Sequence, residues 1–190
     1  VVYERAVSKY SERWLKRQIT AEQADRILEL DLDGVVLVED KKRYYPLGNF
    51  LTQVLGFTSV DGKGLEGIES RFDKYLSGTP GLIAIESDVV GRELPFGADE
   101  YVAPVDGNDL ILTIDMTIQS FTEKYAEQCL LEQNAKRVIA IAMDPDTADV
   151  LAMTVKPDYD NNNPPRSDIT ILQELTRNAA ISDAYEPGST

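Results

Sequence analysis

Apolar residues recur at helical spacing through the first half of the chain and give way to strand-like runs in the second. Residues 4–17 put Val7, Tyr10 and Trp14 on one face, with Glu4, Arg5, Lys9, Glu12 and Lys16 around them, and predict an amphipathic helix. Thr20-Ala21-Glu22-Gln23 has the form of a capping box, and Ala24, Ile27 and Leu28 supply the apolar face of the short helix it would start. Gly34 is expected to break that helix, and the β-branched run Val35-Val36-Leu37-Val38 to form a strand. Residues 1–33 thus read as a small helical subdomain without chemistry.

Residues 49–55 predict a short helix with Asn49 as its cap and Gly56 as its stop. Asp61-Gly62-Lys63-Gly64 predicts a turn. Leu65, Ile68, Phe72 and Leu76 then recur at helical spacing until Gly78 and Pro80. Gly81–Glu86 and Arg92-Glu93-Leu94 bracket Asp88-Val89-Val90-Gly91, a hairpin signal. Residues 97–109 read as a linker, with a domain boundary near Pro104–Gly107.

Beyond it, Leu110–Ile114 predicts a buried strand and Asp115 the N-cap of a helix whose apolar face carries Ile118, Phe121, Tyr125 and Cys129. Val138–Met143 and Val150–Val155 predict two strands joined by the turn-rich Asp144–Asp149, and residues 157–168 a surface loop. The order β-α-β-β with tight loops implies an α+β sheet with helices packed on it. The acids bounding Asp144–Asp149 lack the ligand spacing of a calcium loop, so a plain turn is expected there.

Composition narrows the chemistry. The 190 residues carry a net charge of −14, which disfavours nucleic acid and anionic membrane surfaces. Histidine is absent, which removes Ser-His-Asp and Cys-His catalysis and His-ligated metals. The single cysteine, Cys129, excludes an internal disulfide and is expected to be a small buried hydrophobe. Lys41-Lys42-Arg43 reads as a solvated loop. Gly64 and Gly67 flank Leu65-Glu66 in a Gly-x-x-Gly spacing, but the neighbouring acids argue against a phosphate there. No apolar run is long enough to span a membrane and no signal peptide opens the chain, which reads as a piece of something longer.

The last six residues, Tyr185-Glu186-Pro187-Gly188-Ser189-Thr190, describe a turn that stops where a helix could begin. Pro187 fixes φ, Gly188 permits a sharp bend, and a serine opening the helix would meet the positive end of its dipole, where an alkoxide is favoured. Alone, Ser189 reads as a helix cap.

Six motifs in order change that balance: Arg43-x-Tyr45-Pro46-x-Gly48, Gly64-Leu65-Glu66-Gly67-Ile68-Glu69, Asp88-x-x-Gly91-Arg92, Leu112-Thr113-Ile114-Asp115-x-x-x-Gln119, Ala142-Met143-Asp144-Pro145 with Leu151-Ala152-Met153, and the terminal hexapeptide. Together they resemble the class B penicillin-binding proteins, from about residue 10 onward. Trp14-x-x-Arg17 and the hexapeptide look closest to septal and sporulation-type members.

The resemblance implies an elongated pedestal, or dimerisation-type, domain at residues 1–105 and the first part of a penicillin-recognising serine D,D-transpeptidase domain at 106–190. It implies a bacterial enzyme that cross-links peptidoglycan stem peptides outside the cytoplasm, held by one N-terminal membrane anchor outside this chain. Ser189 maps onto the nucleophile of the family's Ser-x-x-Lys motif. It would attack D-Ala-D-Ala or a β-lactam, activated by a lysine amine on the same helix face. No cofactor or metal is implied. Partners would be stem peptide, β-lactams, cell-wall synthesis or division proteins, and a possible second copy of the chain. That lysine would be residue 192, beyond Thr190, so these residues by themselves are expected to be inert, and a protein–protein docking module is the alternative function. A β-lactam sensor or β-lactamase relative is disfavoured by the pedestal sequence.

The departures concern turns. Thr147-Ala148-Asp149 stands where the family usually has Thr-Gly-Glu, and Lys136-Arg137 where a glycine is common. Glu66 and Glu69 are expected to be caps or ion-pair partners, and Arg43 to brace backbone carbonyls or one of those glutamates.

Overall fold

The computed structural model describes residues 13–84 and 100–184, which fall into two compact units, one ending at Arg43 and the other beginning at Tyr44. The Asp88–Gly91 turn with Arg92–Leu94, the first two turns of the helix expected over 4–17, and the terminal hexapeptide lie outside the described residues.

In the first unit, helix α1 (Ala21–Leu28) is capped as its sequence requires. The Thr20 side chain accepts from Gln23 N and the Gln23 side chain accepts from Thr20 N. The helix stops at Leu28, before Gly34, and buries none of its residues. Residues 13–17 are not helical. Instead the Arg17 guanidinium lies 5.2 Å from the Trp14 ring centroid and pairs with Asp40 at 3.0 Å. The hydrogen bond from the Arg17 guanidinium, more than its charge, holds the Asp40 carboxyl below its ordinary range. Val35–Val38 forms no strand. Among the described residues no strand pairs with it, and its β-branched residues stay in open chain, Val36 at 80% exposure.

The second unit opens with three short helices, α2 (Thr52–Leu55), α3 (Gly67–Arg71) and α4 (Asp73–Leu76). The periodic run from Leu65 to Leu76 is broken at Phe72, whose φ of −109° and ψ of 12° leave the helical region. Asn49 does not cap α2. Its amide donates to Asp158 Oδ2 at 3.3 Å, and Leu51, in the left-handed region, occupies the cap position. Gly56 ends α2 with φ of 74°, as expected. A Cβ on Gly56 would fall 1.9 Å from the Glu66 carbonyl oxygen, and one on Gly67 would fall 2.6 Å from that of Val54. These glycines, like Gly64, let main chain meet main chain and form no anion cradle.

Strand β1 (Leu82–Ala84) pairs antiparallel with β2 (Glu100–Val102), in the register Leu82 to Val102. Part of the expected linker is therefore strand. Helix α5 (Met116–Glu132) follows Asp115, whose Oδ1 accepts from Thr117 N and Ile118 N at 2.8 and 2.9 Å, the expected N-cap. Strands β3 (Val138–Met143) and β4 (Val150–Lys156) form an antiparallel pair, and α6 (Ile169–Thr176) and α7 (Ala179–Ser182) complete the described chain.

Three expectations fail here for one reason: apolar sequence does not decide which side is covered. Leu110–Ile114 is open chain, with Ile111 92% exposed, although Thr113 Oγ1 and Asp115 N donate to the Val150 and Leu151 carbonyls. On α5, Phe121 and Tyr125 are 55% and 57% exposed and stack on each other, and Cys129 is exposed. The buried side of that helix carries Gln119 and Ala126. Conversely, the 157–168 loop contributes Tyr159 to the core cluster with Tyr45 and Phe57, and it buries Asn161.

Candidate active site

The expected nucleophile, Ser189, lies outside the described residues, so the site is approached through the scaffold leading to it. That scaffold is α5 against β3 and β4, extended by α6 and α7.

Its centre is Gln119, fully buried. Gln119 Oε1 accepts from Met153 N at 2.8 Å. Its Nε2 is shared among the Met153 carbonyl at 3.2 Å, Thr154 Oγ1 at 3.0 Å and Glu123 Oε1 at 2.8 Å. One side-chain amide thus takes both main-chain groups of a β4 residue, as a neighbouring strand would. Glu123 Oε1 also accepts from Leu51 N at 2.7 Å, which satisfies the helix-start donor that α2 cannot cap itself.

A second amide repeats the device. Asn162 Oδ1 accepts from Tyr45 N at 2.9 Å and its Nδ2 donates to the Tyr45 carbonyl at 2.8 Å. Asn161 Nδ2 donates to the Gly56 carbonyl at 2.6 Å, and Gln53 Nε2 reaches the Pro157 and Leu175 carbonyls at 3.2 Å each. Residues 45–56 and 153–162 are therefore locked together through main-chain groups. Phe57 meets Tyr159 edge-on at 6.1 Å, with the Arg166 guanidinium 5.2 Å from the Phe57 centroid. Burial, with the Glu66 charge and then Tyr45 beside it, pushes the Tyr159 phenol well above its ordinary range.

The motif glutamates act as scaffold. Glu69 is buried and accepts from the Tyr45 hydroxyl at 3.2 Å. Glu66 stands at the α3 cap position without a side-chain capping bond. The Asp144–Asp149 loop is a plain turn: Asp144 Oδ1 accepts from Asp146 N and Thr147 N, and Ala148 takes φ of 62°. A glycine would take that conformation without strain. Lys41, Lys42 and Arg43 are exposed. Among the described residues no group of acids, cysteines or histidines could hold a metal.

The chain reaches the hexapeptide through α7. Asn178 caps this helix, its Oδ1 accepting from Ala180 N at 3.2 Å, and its Nδ2 approaches Met153 Sδ at 3.4 Å. Asp183 then binds two arginines. Its Oδ2 accepts from Arg137 Nη1 at 2.9 Å, and its Oδ1 pairs with Arg177. Sequence reasoning noted Arg137 only as a departure and passed over Asp183 and Arg177. A pair separated by 46 positions leaves no local signal.

The family model described as the penicillin-binding protein dimerisation domain matches residues 3–112, and that of the penicillin-binding protein transpeptidase domain matches 138–190. Stage V sporulation protein D of Bacillus subtilis (strain 168) is 37% identical over 174 residues, which are 92% of this chain and 26% of the relative. The peptidoglycan D,D-transpeptidase FtsI of Escherichia coli (strain K12) is 36% identical over 180 residues, 93% of this chain and 29% of that protein. Penicillin-binding protein 3 of Mycobacterium tuberculosis, solved in complex with ampicillin, is 30% identical, with a TM-score of 0.61 over 78% of this chain and 28% of that one. The chain thus spans between a quarter and a third of the length of these relatives. The fold is α+β, and the two matches follow the order in which the motifs run. On these grounds the chain belongs to the class B penicillin-binding proteins, with dimerisation-domain sequence leading into transpeptidase-domain sequence.

Proposed function

We propose that the protein containing this chain is a serine-type peptidoglycan D,D-transpeptidase that acts through Ser189. The observation that carries the proposal is the transpeptidase-domain match, which runs through the hexapeptide. Relatives named as D,D-transpeptidases support it. In the reaction, Ser189 Oγ bonds to the carbonyl carbon of the penultimate D-alanine of a stem peptide and its proton passes to the base. The amide C–N bond breaks and D-alanine leaves with a proton. An amine of a second stem peptide then displaces the serine and forms the cross-link. A β-lactam acylates the same oxygen as its ring amide opens. The base would be a lysine at position 192, one helical turn from Ser189 on the same face.

Such an enzyme works outside the cytoplasm, on an N-terminal anchor outside these residues. No helix among the described residues is long and apolar enough to cross a membrane. Residues 1–105 would serve as pedestal and 106–190 as the start of the catalytic domain. Septal and sporulation roles both fit, since relatives of each kind are similar over most of the chain.

The test is cross-linking by the full gene product given pentapeptide-bearing glycan strands. Cross-links should form with release of D-alanine, both abolished by penicillin and by Ser189→Ala. Release that survives Ser189→Ala would refute the assignment.

A docking role for the first unit has its own support. Leu28, Leu30, Leu32, Val36 and Val38 are exposed there. Leu28→Asp with Val36→Asp should weaken assembly with a partner or second copy and leave penicillin labelling intact. Unchanged assembly would remove this role.

A further inference from the structure

The segment leading to Ser189 leaves the described scaffold at a charged clamp. Asp183 presents one carboxylate oxygen to each of two arginines, Oδ2 to Arg137 and Oδ1 to Arg177. Arg137 immediately precedes β3, and Arg177 follows α6, so three elements meet on one carboxylate. The start of α7 is already held by the Asn178 cap, and Ser182 Oγ donates to the Asn178 carbonyl at 2.8 Å and accepts from Arg177 Nε at 3.2 Å. The clamp therefore acts on the end of α7 that departs toward the hexapeptide.

We propose that Asp183 is a positioning residue for Ser189, pinning the exit of α7 to the head of β3 and so setting where the nucleophile-bearing segment begins. This rests on the acyl-transfer function proposed above. Acyl transfer tolerates a displacement of only about 1 Å before rate falls steeply. Asp183 stands six positions before Ser189 in the sequence, so the clamp fixes the point from which the chain runs on toward the nucleophile. The clamp needs charge as well as shape. Asparagine would keep the outline of Asp183 and leave two guanidinium groups facing one another without a shared counterion. The side chains keep between 27% and 51% of their solvent exposure, so salt screens the pairs in part.

The experiment is stopped-flow acylation of the full gene product by a fluorescent phenoxymethylpenicillin, separating the saturating rate from the half-saturating concentration, with melting temperature measured alongside. Asp183→Asn should lower the saturating rate about 10-fold while moving the half-saturating concentration less than about 2-fold, the pattern of lost alignment rather than lost binding. Asp183→Glu should recover part of the rate. If Asp183→Asn does not accumulate as folded protein, Arg137→Gln carries the same expectation with a loss of about 3-fold, because Arg177 stays on the carboxylate. A saturating rate equal to that of the wild type in the folded variant, whatever its melting temperature, would overturn the positioning role. Wild type and Ser189→Ala run in parallel. An unlabelled wild type would overturn the enzymatic function itself, and a labelled wild type with an unaffected Asp183→Asn would overturn only this inference.

Discussion

Gln119 and Met153 pair as two strands would, the side-chain amide of one taking both the N–H and the carbonyl of the other. The helix α5 is fastened to β4 at this fully buried point and again where Glu127 pairs with the buried Lys156 at 3.6 Å. Glu123, one turn further on, extends the connection to Leu51.

Gln119→Ala should therefore destabilise the second unit by about 2–4 kcal/mol, since it strands the Met153 N–H and loosens Glu123. Urea unfolding of the 190-residue polypeptide measures it. A loss below about 1 kcal/mol, the size of an ordinary exposed hydrogen bond, would contradict the account.

Gly56→Ala meets backbone, not a side chain that can turn away: the added Cβ would lie 1.9 Å from the Glu66 carbonyl oxygen, at φ of 74°. A loss of at least about 3 kcal/mol is expected, combining left-handed strain with a forced main-chain shift. Gly62 has φ of 80° and nothing within 4 Å, so Gly62→Ala should cost only about 1–2 kcal/mol. Comparison of the two unfolding midpoints tests the claim, and equal costs would refute it.

Ala148 occupies the left-handed region at the β3–β4 turn. Ala148→Gly should relieve that strain and stabilise by about 0.5–1 kcal/mol after the entropy glycine adds to the unfolded chain. A thermal melt decides it, and a lower midpoint would contradict the strain.

Tyr159 gives the core a pH dependence with a definite sign. Its phenol is buried, donates to the Thr52 carbonyl at 3.3 Å and titrates above its ordinary value of 10.0. With the folded pKa raised, the stabilisation is full below pH 10 and fades as pH climbs through the folded value. Tyr159→Phe should cost about 1 kcal/mol at neutral pH from the lost hydrogen bond, and it should flatten the alkaline loss expected as pH rises above about 10. Denaturation midpoints across that range are the readout, and an equally steep loss in the variant would assign the effect elsewhere.

Local chemistry was legible wherever a residue acts on its near neighbours. The Thr20 capping box, the Asp115 cap, the Gly56 stop, the limits of β3 and, to within one residue at Lys156, those of β4 all follow from side chains and backbone a few positions apart. What failed depended on distant partners. Val35–Val38 is strand-like but finds no strand to pair with among the described residues, and Phe121 and Tyr125 mark an apolar stripe that is exposed. The polar 157–168 loop reads as surface, yet Asn161 and Asn162 use their amides on the main chain of residues 45–56, over a hundred positions away. For the site, Ser189 was reached by resemblance across six motifs, while the Arg137–Asp183–Arg177 clamp joins residues whose contact has no periodic trace.

The central claim is that Ser189 is the acylated residue of the parent enzyme. Mass spectrometry of the full gene product after incubation with a penicillin tests it most directly. The account predicts one penicilloyl adduct on the peptide containing Ser189, absent from Ser189→Ala and preventable by a D-Ala-D-Ala stem peptide. An adduct on any other residue, or none on a folded protein, would contradict it.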